Sequence, residues 1–418
     1  MASAVASPKL VDESLWWDSF VGLFGELDKV PPSNDPPDHL VENLKRHRAW
    51  FLNSIAYFKP PDQTSRLALD SPELAVGSHR LLVKPELKKD ALRVSEYMCL
   101  NEVQSYILVH RHPRISDSTV DGDDKEFLHS EIDYKILWVD ESLIEGNLLM
   151  DILFLAYYDN SSSCNIEQWK TICSLFKDVL CGPLNIGKIA VSVEAKESFD
   201  VLKAKILLIV IETLNLESVL CMVHDEISLR EGGSIFSVTE IKELDAQVSS
   251  FADSYAVEAG PLLLAWAVFQ CLVLSLPERN NSTTLMEIDH ISFVRQAFEV
   301  GTFDYLLGIL HIFKDSDGPT SGFLCVVRTL MSAFVASYEL SLEKEDETLI
   351  KILDILSLIY HGQESLAMQF WDKDSFIDGP IRSILYMLEK EYPIRISEFV
   401  LLLSALCEGS WPAECVCS

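Results

Sequence analysis

Catalysis and ligand binding need particular residue types at particular spacings, and this chain offers few of them. A phosphate-cradling loop needs several glycines ahead of Lys-Ser/Thr. The nearest approach, Asn185-Ile186-Gly187-Lys188-Ile189, lacks both the earlier glycines and the hydroxyl. A hydrolase nucleophile elbow needs Gly-x-Ser-x-Gly. Gly232-Gly233-Ser234-Ile235-Phe236 ends in Phe and reads as a loop after the helix closing near Arg230. Structural zinc needs paired thiolates at short spacing, and the only close pair is Cys415 and Cys417 at the end of the chain. A single C-x-C without partners reads as a tail.

Histidines and acids fare no better. His110 and His112 flank Arg111 just before Pro113, at a helix end where positive charge is electrostatically favoured. No carboxylate or cysteine completes a metal set around them. His224-Asp225-Glu226 offers a base beside an acid, but adjacent helical residues point in different directions, so no pairing is expected. Glu343, Glu345, Asp346 and Glu347 read as a solvated turn opening the next helix. The sequence therefore assigns no catalytic, cofactor-binding or metal-ligating residue, and it predicts a non-enzyme with no cofactor and no small-molecule substrate.

Charge narrows the partner classes. Lys+Arg is 34 against Asp+Glu 64, a net charge of −30. The basic stripe that phosphate contacts require is missing, which argues against direct binding to nucleic acid or to an anionic membrane surface. A solvated surface accounts for the acidity first; basic partner segments are the partners it would favour. The ten cysteines are scattered, most of them in apolar helical stretches, as buried reduced thiols are. Met1–Pro8 has no basic or apolar leader pattern. The longest apolar block, Leu262–Leu276, is 15 residues long, too short for a span of about 20 residues, so no transmembrane segment is expected.

The elements that would position any site are helices. Apolar residues recur at spacings of three and four over 10–29, from Asp35 to Phe58, and over 85–99, 101–111, 123–135, 138–158, 166–180, 192–222, 238–258, 261–276, 287–313, 321–342, 345–361, 364–370, 376–390 and 394–407. Asn101 reads as a cap ahead of Glu102, and Ser237 and Thr239 offer hydroxyls ahead of the next run. Loops are expected at 59–72, 112–123, 159–165, 181–187, 230–237, 277–285 and 314–321; only 182–192 has strand character. Trp16, Trp17, Trp50, Trp169, Trp266 and Trp371 read as core anchors. The fold class predicted is all-α, with more than about 60% helix against the one-third of ordinary domains. Helices without intervening strands imply an irregular, HEAT-like α-solenoid, a superhelical stack of antiparallel helices, with no fixed-period repeat.

Several runs of residues resemble a known family. Phe51–Pro61 (FLNSIAYFKPP), the helix Leu87–Leu100 followed by Leu100-Asn101-Glu102-Val103-Gln104-Ser105-Tyr106, Trp138-Val139-Asp140-Glu141-Ser142-Leu143, and Gly260-Pro261 with Leu264-Ala265-Trp266-Ala267 are similar to the N-terminal part of the very large inner-ring scaffold nucleoporins. Their order follows the one-eighty-eight type more than the sister two-oh-five type. The segments 62–80 and 112–125 match poorly. The resemblance implies a structural component of the nuclear pore complex at the nuclear envelope, supporting nucleocytoplasmic transport by holding other nucleoporins, linker helices and inner-ring neighbours among them. An importin-like or HEAT-type transport adaptor is the alternative reading.

The resemblance also implies a domain plan. Residues 1–9 are expected to be a disordered N-terminus, 10–407 the N-terminal solenoid region of a longer scaffold protein, and 408–418 a short truncated tail. Ile394–Cys407 is apolar around much of its circumference, so an exposed apolar end and self-association are expected.

Overall fold

The computed structural model describes residues 61–76, 79–98, 101–111, 124–158, 164–181, 192–227, 236, 238–252, 256–276, 288–314, 320–338 and 347–417. The expected helices at 10–29 and from Asp35, the run Phe51–Pro60 and the strand-like 182–191 lie outside them. The fold is all-α: the described residues are 81% helical, with one two-stranded sheet among them. The chain divides into two compact units, Met1–Ala156 with Asp178–Leu202, and Tyr157–Lys177 with Lys203–Ser418.

In the first unit, α1 (Gln63–Ala68) is capped by Asp62, whose carboxylate accepts the Ser65 amide at 2.8 Å. This helix lies within the expected loop 59–72, and an antiparallel hairpin follows, β1 (Glu73–Val76) and β2 (His79–Leu82), although the sequence shows strand character only at 182–192. Leu74 pairs directly with Leu81 and both are buried, so two alternating side chains suffice to hold this short ribbon on its unit. The helices α2 (Pro85–Met98) and α3 (Glu102–Arg111) pack on each other, and α1 packs on α3. Asn101 caps α3 as expected, accepting the Val103 amide at 3.0 Å. The Tyr106 hydroxyl accepts the Lys84 amide at 2.9 Å and donates to the Leu82 carbonyl at 3.0 Å, tying the hairpin's end to α3.

The helix α4 (Asp124–Tyr158) runs unbroken for 35 residues, about 50 Å, where the sequence suggests two helices. No Gly or Pro occupies the supposed junction at 136–137. The amide nitrogen of Asn147 donates to the Ser198 carbonyl at 3.0 Å, fixing α4 to the start of α6 (Val193–Glu212).

The second unit contains α5 (Ile166–Cys181) up to Lys177, α6 from Lys203, and α7 (Leu216–His224), α8 (Val238–Ala252), α9 (Ala256–Ser275), α10 (His290–Glu299), α11 (Thr302–Lys314), α12 (Thr320–Ser337), α13 (Glu347–Tyr360), α14 (Glu364–Trp371), α15 (Gly379–Lys390), α16 (Ile396–Leu406) and α17 (Ser410–Cys417). Two rows emerge from the packing. The helices α9, α11, α13 and α16 follow one another in one row, and α7, α12 and α15 in a second. Rungs connect the rows, α9 with α12, α12 with α13, and α15 with α16.

Boundaries in this unit differ from expectation for local reasons. The run 192–222 breaks at Thr213–Asn215, where Asn215 is left-handed at φ 53° and caps α7. The run 287–313 breaks at Val300–Gly301, with Gly301 at φ 74°, a conformation glycine adopts at little cost. Conversely, α9 passes through Gly260-Pro261, which the sequence reads as a boundary. Proline clashes with the Cβ of the residue before it, and Gly260 has none. The expected tail carries α17, packed on α14 and α16.

The core of the second unit centres on α9, where every residue from Ala259 to Gln270 is buried. Trp266 lies 5.6 Å from Trp169 and 5.4 Å from Phe269 between ring centroids, so two of the six expected tryptophan anchors meet in one aromatic cluster. The one polar side chain within that stretch, Gln270, and the Trp266 indole both donate to Asp245 of α8, at 2.5 and 2.8 Å. Two stretches, Val193–His224 and Val257–Ser275, are long and apolar enough to cross a membrane by composition, longer than the block counted from sequence. Their apolar windows are 67% and 78% buried within the protein, as core helices are.

Candidate functional site

The break between α6 and α7 creates the most chemically distinctive place in the described structure. The α6 helix runs apolar from Ile206 to Ile211 and ends on Glu212; the chain turns through Thr213, Leu214 and Asn215, and α7 starts at Leu216-Glu217. The Thr213 hydroxyl closes the α6 end by donating to the Val210 carbonyl at 2.8 Å. The Asn215 side chain accepts the Ser218 amide at 3.3 Å and opens α7.

A small pocket, open to solvent and with room for about one water-sized group, sits at this corner. Ile211, Glu212, Asn215, Leu216 and Glu217 line it from the corner, and Val326 and Thr329 from α12. Neither carboxylate accepts a hydrogen bond from a described residue. Burial, and then the charge of Glu217, push the Glu212 carboxyl up to about 8. Burial also raises Glu217, an effect that Arg328 opposes and Asp378 reinforces. Two carboxyls in one partly desolvated pocket cannot both ionise without cost.

Beside Val326 and Thr329 on α12 lies a buried polar cluster. Arg328 donates through Nη1 to Gln369 at 2.8 Å and lies 3.7 Å from the Asp378 carboxylate. Asp378 also accepts from Tyr360 at 2.7 Å and Ser375 at 2.8 Å. Ser332 donates to the Ile377 carbonyl, and Arg382 donates to the carbonyls of Phe370 and Asp372 at 2.7 and 2.8 Å. With Asp378 closed to water and accepting from both Tyr360 and Ser375, the cluster locks the 372–378 turn against α12 and α13.

The His224–Asp225 expectation is overturned. Nδ1 of His224 lies 2.8 Å from Asp225, because Asp225 is the C-cap of α7, outside the helix that would have splayed the two apart. Cys221 lies 3.5 Å from the same carboxylate. The arrangement still does not make a nucleophile. The thiol donates to the acid and not to the imidazole, and burial followed by the Asp225 contact raises its pKa, the reverse of activation.

Other candidate residues fall apart in the structure or outside it. His110 ends α3 as expected and packs on the Tyr106 ring at 6.1 Å, while His112, Gly232, Gly233, Ser234 and 185–189 lie outside the described residues. Among the described residues no three His, Cys, Asp or Glu side chains gather as a metal set, and no disulfide forms. The sequence reading passed over Glu212 and Glu217. Their signal is legible in retrospect as the two acids in the run ILLIVIETLNLESVL, an unfavourable position for carboxylates unless something compensates them. Known protein families and curated proteins offer no match to the chain.

Proposed function

We propose that this chain is a non-catalytic scaffold segment of an inner-ring nucleoporin, which helps shape the nuclear pore complex at the nuclear envelope by holding other nucleoporins. The observation that carries this reading is the two-row packing of the second unit, α9–α11–α13–α16 beside α7–α12–α15, in which each helix meets the next along its row. Stacking of this kind leads toward an α-solenoid, a form that buries a continuous core while presenting long surfaces to other proteins. The runs similar to inner-ring nucleoporins add to it: two of them form α2–α3 and the centre of α9. The acidic surface suits partner helices whose apolar face enters a groove and whose basic face meets carboxylates.

The test is where the full-length gene product resides. A fluorescent fusion expressed at native level is expected to outline the nuclear rim and to co-purify with linker nucleoporins. A diffuse signal with no rim overturns the proposal.

A further inference from the structure

We propose that the pocket at the α6–α7 corner is a binding site for a primary ammonium group. An ammonium head is about the size of a water and has three donors and no acceptor. The pocket offers a matching set of acceptors, the carboxylates of Glu212 and Glu217 and the hydroxyl of Thr329. Thr329 is 8% exposed and makes no hydrogen bond, although a helical threonine commonly bonds back to the preceding turn. A hydroxyl with no side-chain partner and two carboxylates that lack protein donors leave the pocket with acceptors alone, as three ammonium donors require.

Competing ligands fit less well. A divalent cation takes six or more oxygens as a rule, and no trio of ligating side chains gathers anywhere among the described residues. Arg328 attracts Glu217 but is held by Gln369 and Asp378, so it does not fill the pocket. The groups facing the corner are Glu212 and Glu217 themselves, Cys325 and Arg328 on α12, Tyr158 at the end of α4, and Asp378 beyond Arg328. Among them only Arg328 is a cation. An entering ammonium therefore favours ionisation of Glu212, which near neutral pH is mostly protonated when the pocket is empty. Binding then releases a proton and tightens as pH rises from about 6 to about 8.

This site stands apart from the scaffold reading and fails or holds by its own measurement. The full chain is titrated calorimetrically with n-butylammonium, N-acetyl-lysinamide and spermidine, with n-butanol as the uncharged control. Saturable binding of the amines is expected, with none for butanol, and with proton release visible as a heat that changes between buffers. Thr329→Val and Glu217→Gln, each checked for an unchanged melting profile, should weaken binding roughly tenfold. Tighter lysinamide binding points to a partner protein's lysine, and tighter spermidine binding to a free polyamine; either supports the site. No saturable binding of any amine at pH 8, or equal binding by both variants, overturns it.

Discussion

The Tyr360 hydroxyl donates to the Asp378 carboxylate across 2.7 Å, and both side chains are fully buried. Asp378 lies in the turn before α15, Tyr360 ends α13, and Arg328 approaches from α12, so one carboxylate joins three helices. Removing it leaves a phenol and a serine hydroxyl without their acceptor and the Arg328 guanidinium without its counter-charge. Asp378→Ala is expected to cost roughly 3–5 kcal/mol, because an unpaired buried charge is left behind. Asp378→Asn keeps an acceptor for Tyr360 and should cost less. Urea unfolding of the two variants checks both the size and the order.

Gly260 sits where α9 meets the start of α11. A Cβ built there would lie 2.5 Å from the Thr302 hydroxyl and 3.1 Å from Val300. Thr302 cannot easily turn away, since it donates to the Ala297 carbonyl at 2.6 Å and is buried. Gly260→Ala should therefore destabilise the chain by about 1–3 kcal/mol, although alanine is the better helix former by about 1 kcal/mol. A thermal melt showing an unchanged or raised midpoint would contradict the close approach of these helices.

Stability should fall as pH rises past the ordinary carboxyl range, in part because of Glu212. Its folded pKa is raised, to about 8, above an unfolded value of 4.5. Below pH 4.5 both states hold the proton and nothing is lost. Between about 4.5 and 8 the unfolded state ionises first, so unfolding gains and the folded state loses ground; above 8 the loss is complete. Glu212→Gln should remove this slope, leaving stability nearly unchanged at pH 5 and raised at pH 8. Parallel urea curves at the two pH values test the sign directly.

The helical class was legible because apolar spacing of three and four is a strong signal, and the apolar run Leu262–Gln270 became the centre of the core. Breaks were legible only where the breaking residue is distinctive, and not always then. Asn215 ends a helix by adopting a left-handed backbone that nothing in Thr-Leu-Asn-Leu announces, whereas Gly260-Pro261 announces a break that α9 does not make. The hairpin was concealed by brevity, with four-residue strands around Gly77-Ser78, a dipeptide that does signal a tight connection. The corner pocket was hidden for a tertiary reason. Glu212 and Glu217 matter through Thr329, more than a hundred residues away, and no local pattern links them.

Self-association of the isolated chain follows from its last helices. Leu402, Ala405 and Leu406 bury one side of α16, while Ile396, Val400 and Leu401 remain 44%, 54% and 42% exposed on it. Ile394 in the preceding turn, Tyr392 and Trp411 of α17 are also 60%, 60% and 44% exposed. The α17 helix packs on α14 and α16 yet leaves these groups in water. Large exposed apolar groups concentrated along one short stretch of chain favour association between copies. The protein should therefore elute above its 47.1 kDa monomer mass in size exclusion with light scattering, with the excess growing with concentration. Val400→Glu combined with Ile396→Lys touches exposed positions only, so folding should be preserved and the mass should fall toward the monomer. A dilution-stable monomer for the unsubstituted chain would show that this face is tolerated in water as it stands.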